Sequence, residues 1–148
     1  MDGAKAVKSG KAFEEMTNLE LRINVEYCTV CHQNEFYKVF QINWKQYLSK
    51  RIVPDEVVIN RKNKTVYIIE KKNQTSAGSN DEKLLACEFK KMKYSQMLAN
   101  TEFSVEMMYL CNDWFKKPCY KDTFDFMDTK GIKHFFNEIP LSALGICA

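Results

Sequence analysis

A chain of 148 residues with 45% hydrophobic content is large enough to bury one proper core and too short for two, so it is expected to fold as a single domain, 1–148. A net charge of +3 is only mildly basic and by composition does not announce a nucleic-acid binder, although the lysines gather at Lys5, Lys8 and Lys11, at Arg61, Lys62 and Lys64, at Lys90, Lys91 and Lys93, and at Lys116, Lys117 and Lys121. No stretch is long or apolar enough to span a membrane and the opening MDGAKAVKSGK has no apolar run of the kind a signal peptide needs, so a cytoplasmic protein is expected. The chain contains no P-loop, no GxGxxG opening a helix, no GxSxG and no HExxH, and with only His32 and His134 it has little material for histidine acid/base chemistry.

In chain order, SGKAFEEMT from Ser9 to Thr17 suits a short helix capped by Ser9, with Ala12, Phe13 and Met16 as an apolar stripe and Glu14 and Glu15 riding on it. From Leu19 to Asn34 the pattern alternates and then loses phase near Tyr27, as an extra strand or an irregular excursion would. Within it, Cys28-Thr29-Val30-Cys31-His32 matches the haem c attachment pattern, which belongs to exported proteins and is set aside. The same residues offer half a zinc site, with His32 or Cys119, but a single CxxC without a second pair reads first as reduced thiols. Cys87 and Cys111 fall in apolar segments as small hydrophobes. Glu35 to Arg51 carries Phe36, Val39, Phe40, Asn43, Trp44, Tyr47 and Leu48 at helical spacing, and predicts an amphipathic helix.

Pro54 then blocks helix and opens a hairpin. Two β-branched runs, Val57 to Ile59 and Val66 to Ile69, flank the polar turn from Arg61 to Lys64. Closing the chain on that turn puts Asn60 opposite Thr65 and, counting outward, Asp55 opposite Glu70, with Glu70 and Lys72 on one face. Directly opposed side chains have Cβ atoms roughly 4.5–5.5 Å apart, and two carboxylates that close repel. A divalent cation is the economical explanation, because Mg²⁺ is held by one or two carboxylates with water and phosphate oxygens. Lys72 then stands near where a phosphate would sit, which outlines a site for phosphodiester hydrolysis.

Pro54-Asp55 followed by Glu70-x-Lys72 resembles the motif of the PD-(D/E)XK nuclease superfamily, and EKKNQTSAGSNDEKLLACEFKKMKYSQML looks like sequence from the type II restriction endonucleases of that superfamily. The resemblance implies an α/β (α+β) fold with a restriction-endonuclease-like αβββαβ core, a mixed central sheet flanked by helices, and metal-dependent cleavage of DNA. It makes Asp55, Glu70 and Lys72 the catalytic trio, with Asp55, Glu70 and the backbone carbonyl of Lys71 as metal ligands for Mg²⁺ or Mn²⁺. Many members carry a glutamate on the first core helix after Gly-x-x-Phe, which Gly10-Lys11-Ala12-Phe13-Glu14 fits, so Glu14, or Glu15 behind it, is a candidate fourth acid. Both are otherwise ordinary helix acids.

NQTSAGSN, from Asn73 to Asn80, is the most loop-like stretch by composition. It is a plain connection or a segment tracking DNA, with Gln74 and Ser76 as the candidate contacts. Asp81 to Asn100 predicts a long helix with Leu85, Phe89, Met92 and Ala99 toward the core, and with Lys90 and Tyr94 one turn apart as candidate phosphate contacts. Phe103 to Cys111 reads as a strand apolar on both faces, hence central. Asn112 to Thr129 interleaves lysines with Trp114, Phe115, Tyr120, Phe124 and Phe126, the composition of a nucleic-acid surface and equally of an irregular segment packed on the core. Gly131 to Glu138 predicts a last short helix, and IPLSALGICA a docked terminus or an oligomer contact. The expectation is a small restriction endonuclease acting on double-stranded DNA as a homodimer. A junction resolvase or nicking enzyme, and a DNA-binding module without chemistry, are the alternatives.

Overall fold

The computed structural model describes residues 3–76 and 80–147, and side chains throughout these except at 3–9 and 80–82. Five strands form one sheet: β1 (Cys28–Cys31), β2 (Glu56–Asn60), β3 (Thr65–Lys72), β4 (Ser104–Cys111) and β5 (Lys133–Phe136), ordered as numbered. β1, β2 and β3 are antiparallel neighbours, whereas β4 runs parallel to β3 and β5 parallel to β4. Helix α1 (Gly3–Met16) precedes β1, and α2 (Glu35–Val39) lies between β1 and β2. The crossover from β3 to β4 carries α3 (Asn80–Leu85) and α4 (Cys87–Met97), and the one from β4 to β5 carries α5 (Lys121–Thr129). The mixed sheet with helices is the expected α+β class, and α1, β1, β2, β3, α4 and β4 follow the expected αβββαβ order.

Strand alternation divides the core in two. On the front face Val57, Ile59, Val66, Ile68, Met107 and Tyr109 meet Phe36, Tyr94, Met97, Phe124 and Met127. On the back face Val58, Tyr67, Ile69, Met108 and Leu110 meet Phe13, Leu19, Ile139, Leu144 and Ile146. β4 is therefore covered on both sides, as its sequence predicts, and the C-terminal segment is a docked one.

The structure corrects several expectations. α1 begins well before Ser9, so Ser9 is inside the helix rather than at its cap; its side chain, like those of Lys5 and Lys8, lies outside the described residues. Of the proposed stripe only Phe13 is buried. The helix expected from Glu35 to Arg51 stops at Val39 because Gln41 takes a left-handed φ of 53° and the N–H of Ile42 returns to the Tyr37 carbonyl at 2.9 Å. Asn43 then caps a separate 3₁₀ turn, its side chain accepting from the N–H of Lys45. The helix expected over 81–100 is broken at Ala86, which turns Leu84, Cys87, Tyr94 and Met97 inward and leaves Leu85, Phe89 and Met92 53%, 49% and 46% exposed. The last predicted helix is instead β5: Gly131, at φ 69°, ends the turn after α5, and the free edge of β4 supplies backbone partners to Lys133–Phe136. Cys28 and Cys31 sit three residues apart on a strand and join opposite cores, so the two thiols do not share a metal.

The hairpin turn is tied to the docked terminus. Asn60 accepts the N–H groups of Lys62 and Asn63 on Oδ1 and donates from Nδ2 to the Leu144 carbonyl at 2.9 Å. Gly145 adopts φ 71°, and a Cβ there would overlap Asn63 Nδ2 and stand 2.9 Å from Asn60 Nδ2. Gly145→Ala is therefore expected to destabilise the protein by about 1–3 kcal/mol, read as a lower denaturation midpoint. An unchanged midpoint would show that the tail does not brace the turn.

Candidate active site

β2 and β3 pair with Asn60 opposite Thr65 and Glu56 opposite Ile69, and one further step brings Asp55 abreast of Glu70. Asp55 is half-buried at the entry to β2, held by the main-chain N–H of Lys71, which donates to its Oδ2 at 2.7 Å. Glu70 is 2% exposed. Its Oε2 lies 3.8 Å from Lys72 Nζ and 3.6 Å from Lys90 Nζ, and among the described residues its buried Oε1 has no hydrogen-bond partner. Burial raises the Glu70 carboxyl to about 7, with the negative charge of Asp55 adding to the rise and the ammonium groups of Lys90 and Lys72 opposing it.

Glu14, near the end of α1, brings a third carboxyl within hydrogen-bonding reach of Asp55. Burial and then the Asp55 charge push its pKa up, against Lys71 and Lys72. Glu15 points to solvent. The structure thus brings together Asp55, Glu70, Lys72, Glu14 and Lys90.

It does not bring Tyr94 or Gln74 to an outer surface. Tyr94 is fully buried and Gln74 nearly so, the main chain of Gln74 being paired with the Asn112 side chain. The hydroxyls of Tyr94 and Tyr109 are buried without a partner among the described residues; burial first, and then the Glu70 charge, raises both phenols, which remain neutral donors. Ser76 is half-buried on the loop leaving β3. The Lys71 side chain turns to the back face, which leaves only its main chain on the Asp55 side.

Sequence reasoning missed the ion cluster behind the site. Glu56, fully buried, takes Lys71 Nζ at 2.8 Å, the N–H of Leu19 at 2.9 and 3.1 Å, and His32 Nε2 at 3.0 Å. The signal was available in strand parity. Asp-Glu at 55–56 and Lys-Lys at 71–72 must each send one charge to either face. Among the described residues no group of three or more His, Cys, Asp and Glu side chains is arranged to hold a metal ion, and no helix is long and apolar enough to cross a membrane.

A family model described as a PD-(D/E)XK nuclease superfamily domain matches residues 5–100, more than half of the chain. No curated protein and no solved structure matches the chain.

A carboxyl raised from 4.5 to about 7 favours the folded state while protonated, a contribution fully present below 4.5 and lost as pH climbs from there through about 7. The metal-free protein should accordingly become less stable by up to about 3 kcal/mol as the Glu70 carboxyl ionises. Glu70→Gln, neutral at every pH, is expected to flatten this fall in thermal melts; an undiminished slope in the variant would refute the assignment.

Proposed function

Since the chain belongs to the PD-(D/E)XK nuclease superfamily, whose members are generally nucleases, we propose that it is a Mg²⁺-dependent endonuclease hydrolysing phosphodiester bonds of double-stranded DNA, sequence-specific in the manner of type II restriction enzymes, with Mn²⁺ able to replace Mg²⁺. The observation that carries this reading is the buried Oε1 of Glu70, without a hydrogen-bond partner among the described residues, with Asp55 alongside and Glu14 within reach of Asp55, carboxylates whose repulsion a cation relieves. Hard oxygen donors, few in number, suit an ion that keeps much of its hydration and takes phosphate oxygens as ligands.

Asp55 and Glu70 would hold the cation together with the Lys71 carbonyl, and Glu14 approaches Asp55 from α1. When bound, the ion activates water and offsets negative charge on the phosphate undergoing substitution. The residues do the rest. The Lys71 N–H fixes the Asp55 carboxylate, so its orientation is set before substrate arrives. Lys72, with 14% of its side chain exposed, orients the attacking water and stabilises charge as the water attacks in line. Lys90, 3.6 Å from Glu70, and Ser76, on the loop leaving β3, would be the contacts to the DNA backbone. Cutting both strands at a symmetric sequence is simplest with two sites related by a two-fold axis, hence a homodimer.

Digestion of a mixed plasmid and bacteriophage DNA panel in about 10 mM Mg²⁺ is expected to give discrete bands. Lys72→Ala should lose about 10²-fold or more of the rate while keeping its circular dichroism spectrum. A smear, or nicking of branched substrates alone, would replace sequence specificity with a structure-specific nuclease, and DNA binding without cleavage would leave a binding module.

A further inference from the structure

On the face of the hairpin away from Asp55 and Glu70, Lys71 Nζ has three partners. It lies 2.8 Å from Glu56 Oε1, and it donates to the carbonyl of Thr17 at 3.2 Å and to that of Glu14 at 3.3 Å. Only 3% of its side chain and none of that of Glu56 is exposed. The carbonyls belong to the last turn of α1 and the residue after it, where a helix presents unsatisfied acceptors and the negative end of its dipole. Glu56 uses both carboxylate oxygens on the N–H of Leu19, just beyond that turn, and receives His32 from the solvent side. Every polar atom of the pair is thus spent on the junction of α1 with the following segment.

We propose that Glu56 and Lys71 are positioning residues for the nuclease reaction: their buried ion pair clamps the carboxyl end of α1 to the back of the hairpin and so holds the Glu14 side chain at Asp55. The inference rests on the reading of the Asp55–Glu70 end as a cation site, and adds to it how the third carboxylate is delivered. Glu14 reaches Asp55 by its side chain while its own carbonyl is gripped by Lys71, so the same residue is fixed at backbone and carboxylate from two faces of one hairpin. A charged clamp suits this task better than apolar packing alone. Apolar contacts such as those of Phe13 and Leu19 are non-directional, whereas the ammonium must satisfy particular carbonyls and the carboxylate a particular N–H.

Removing one partner strands a buried charge, so the informative variant is the neutral pair Glu56→Gln with Lys71→Met, which keeps the Lys71 main chain intact. Two quantities are measured in metal-free protein and in protein titrated with Mn²⁺: hydrogen exchange of the Leu19 amide, and Mn²⁺ affinity from the electron paramagnetic resonance of the free ion. The double variant is expected to exchange Leu19 faster and to bind Mn²⁺ about tenfold more weakly. Glu14→Gln should weaken binding in the parent by a similar factor, and by less than about twofold when added to the double variant, since both changes remove the same contribution.

Ile146→Ala, a back-face core change outside the clamp, is the control and should leave Mn²⁺ affinity unchanged while lowering stability. A folded double variant with parental Mn²⁺ affinity would overturn the proposal, as would equal weakening by Ile146→Ala or full additivity with Glu14→Gln. Absence of Mn²⁺ binding in the parent protein would remove the cation site itself, and the proposal with it. The Leu19 exchange rates then tell whether the clamp exists as a fold contact only.

Discussion

The register of β2 on β3 governs nearly everything that matters at this site. With Asn60 opposite Thr65, the residues at 55, 70 and 72 share the front face and those at 56 and 71 the back. A slip of one residue would set Asp55 on the face of Lys71 and Glu56 on that of Glu70 and Lys72, parting Asp55 from the other two. Such a slip is opposed from outside the hairpin by Asn60, which ties the turn to Leu144, and within it by Asp55, which takes the N–H of Lys71.

The two faces treat charge in opposite ways. Behind the hairpin, each charge has a close counter-charge and main-chain partners: Glu56 with Lys71, His32 and the Leu19 N–H, Lys71 with Glu56 and two carbonyls. In front, Glu70 has two ammonium groups at 3.6 and 3.8 Å, an oxygen without a partner among the described residues and a second acid alongside. A buried pair with complete partners contributes rigidity. A buried carboxylate with incomplete partners costs stability, a cost that the apolar packing of both faces offsets and that a functional site has reason to keep.

The chain announced its centre more plainly than its periphery. The hairpin was legible because β-branched runs on either side of a polar four-residue turn admit one register, and β4 because apolar residues on both parities leave only a covered central position. The residues from Glu35 to Arg51 misled because their aromatics keep a helical spacing while Gln41 turns left-handed, and periodicity carries no information on φ. In α4 the break at Ala86 rotated the phase, so a stripe counted straight through Leu85 selected the outward residues. β5 is a strand because β4 has an edge to offer, a fact of topology absent from the local run. At the site, the acid and lysine positions could be placed relative to one another by counting, but Glu56 with Lys71 required asking what the other half of each charged doublet does.

The clamp also separates the site into parts that close over different lengths of chain. The bond from Lys71 to Asp55 spans 16 residues, while that from Lys71 to Thr17 spans 54. Loop-closure entropy grows with the logarithm of that length, making the longer contact costlier by about 1 kcal/mol before any packing is counted. The acids of the hairpin are thus neighbours by local geometry, whereas Glu14 joins them only when the amino-terminal helix has docked. Completeness of the carboxylate set is in that sense a gauge of whole-domain closure, and a partly folded chain would carry two of the acids without the third.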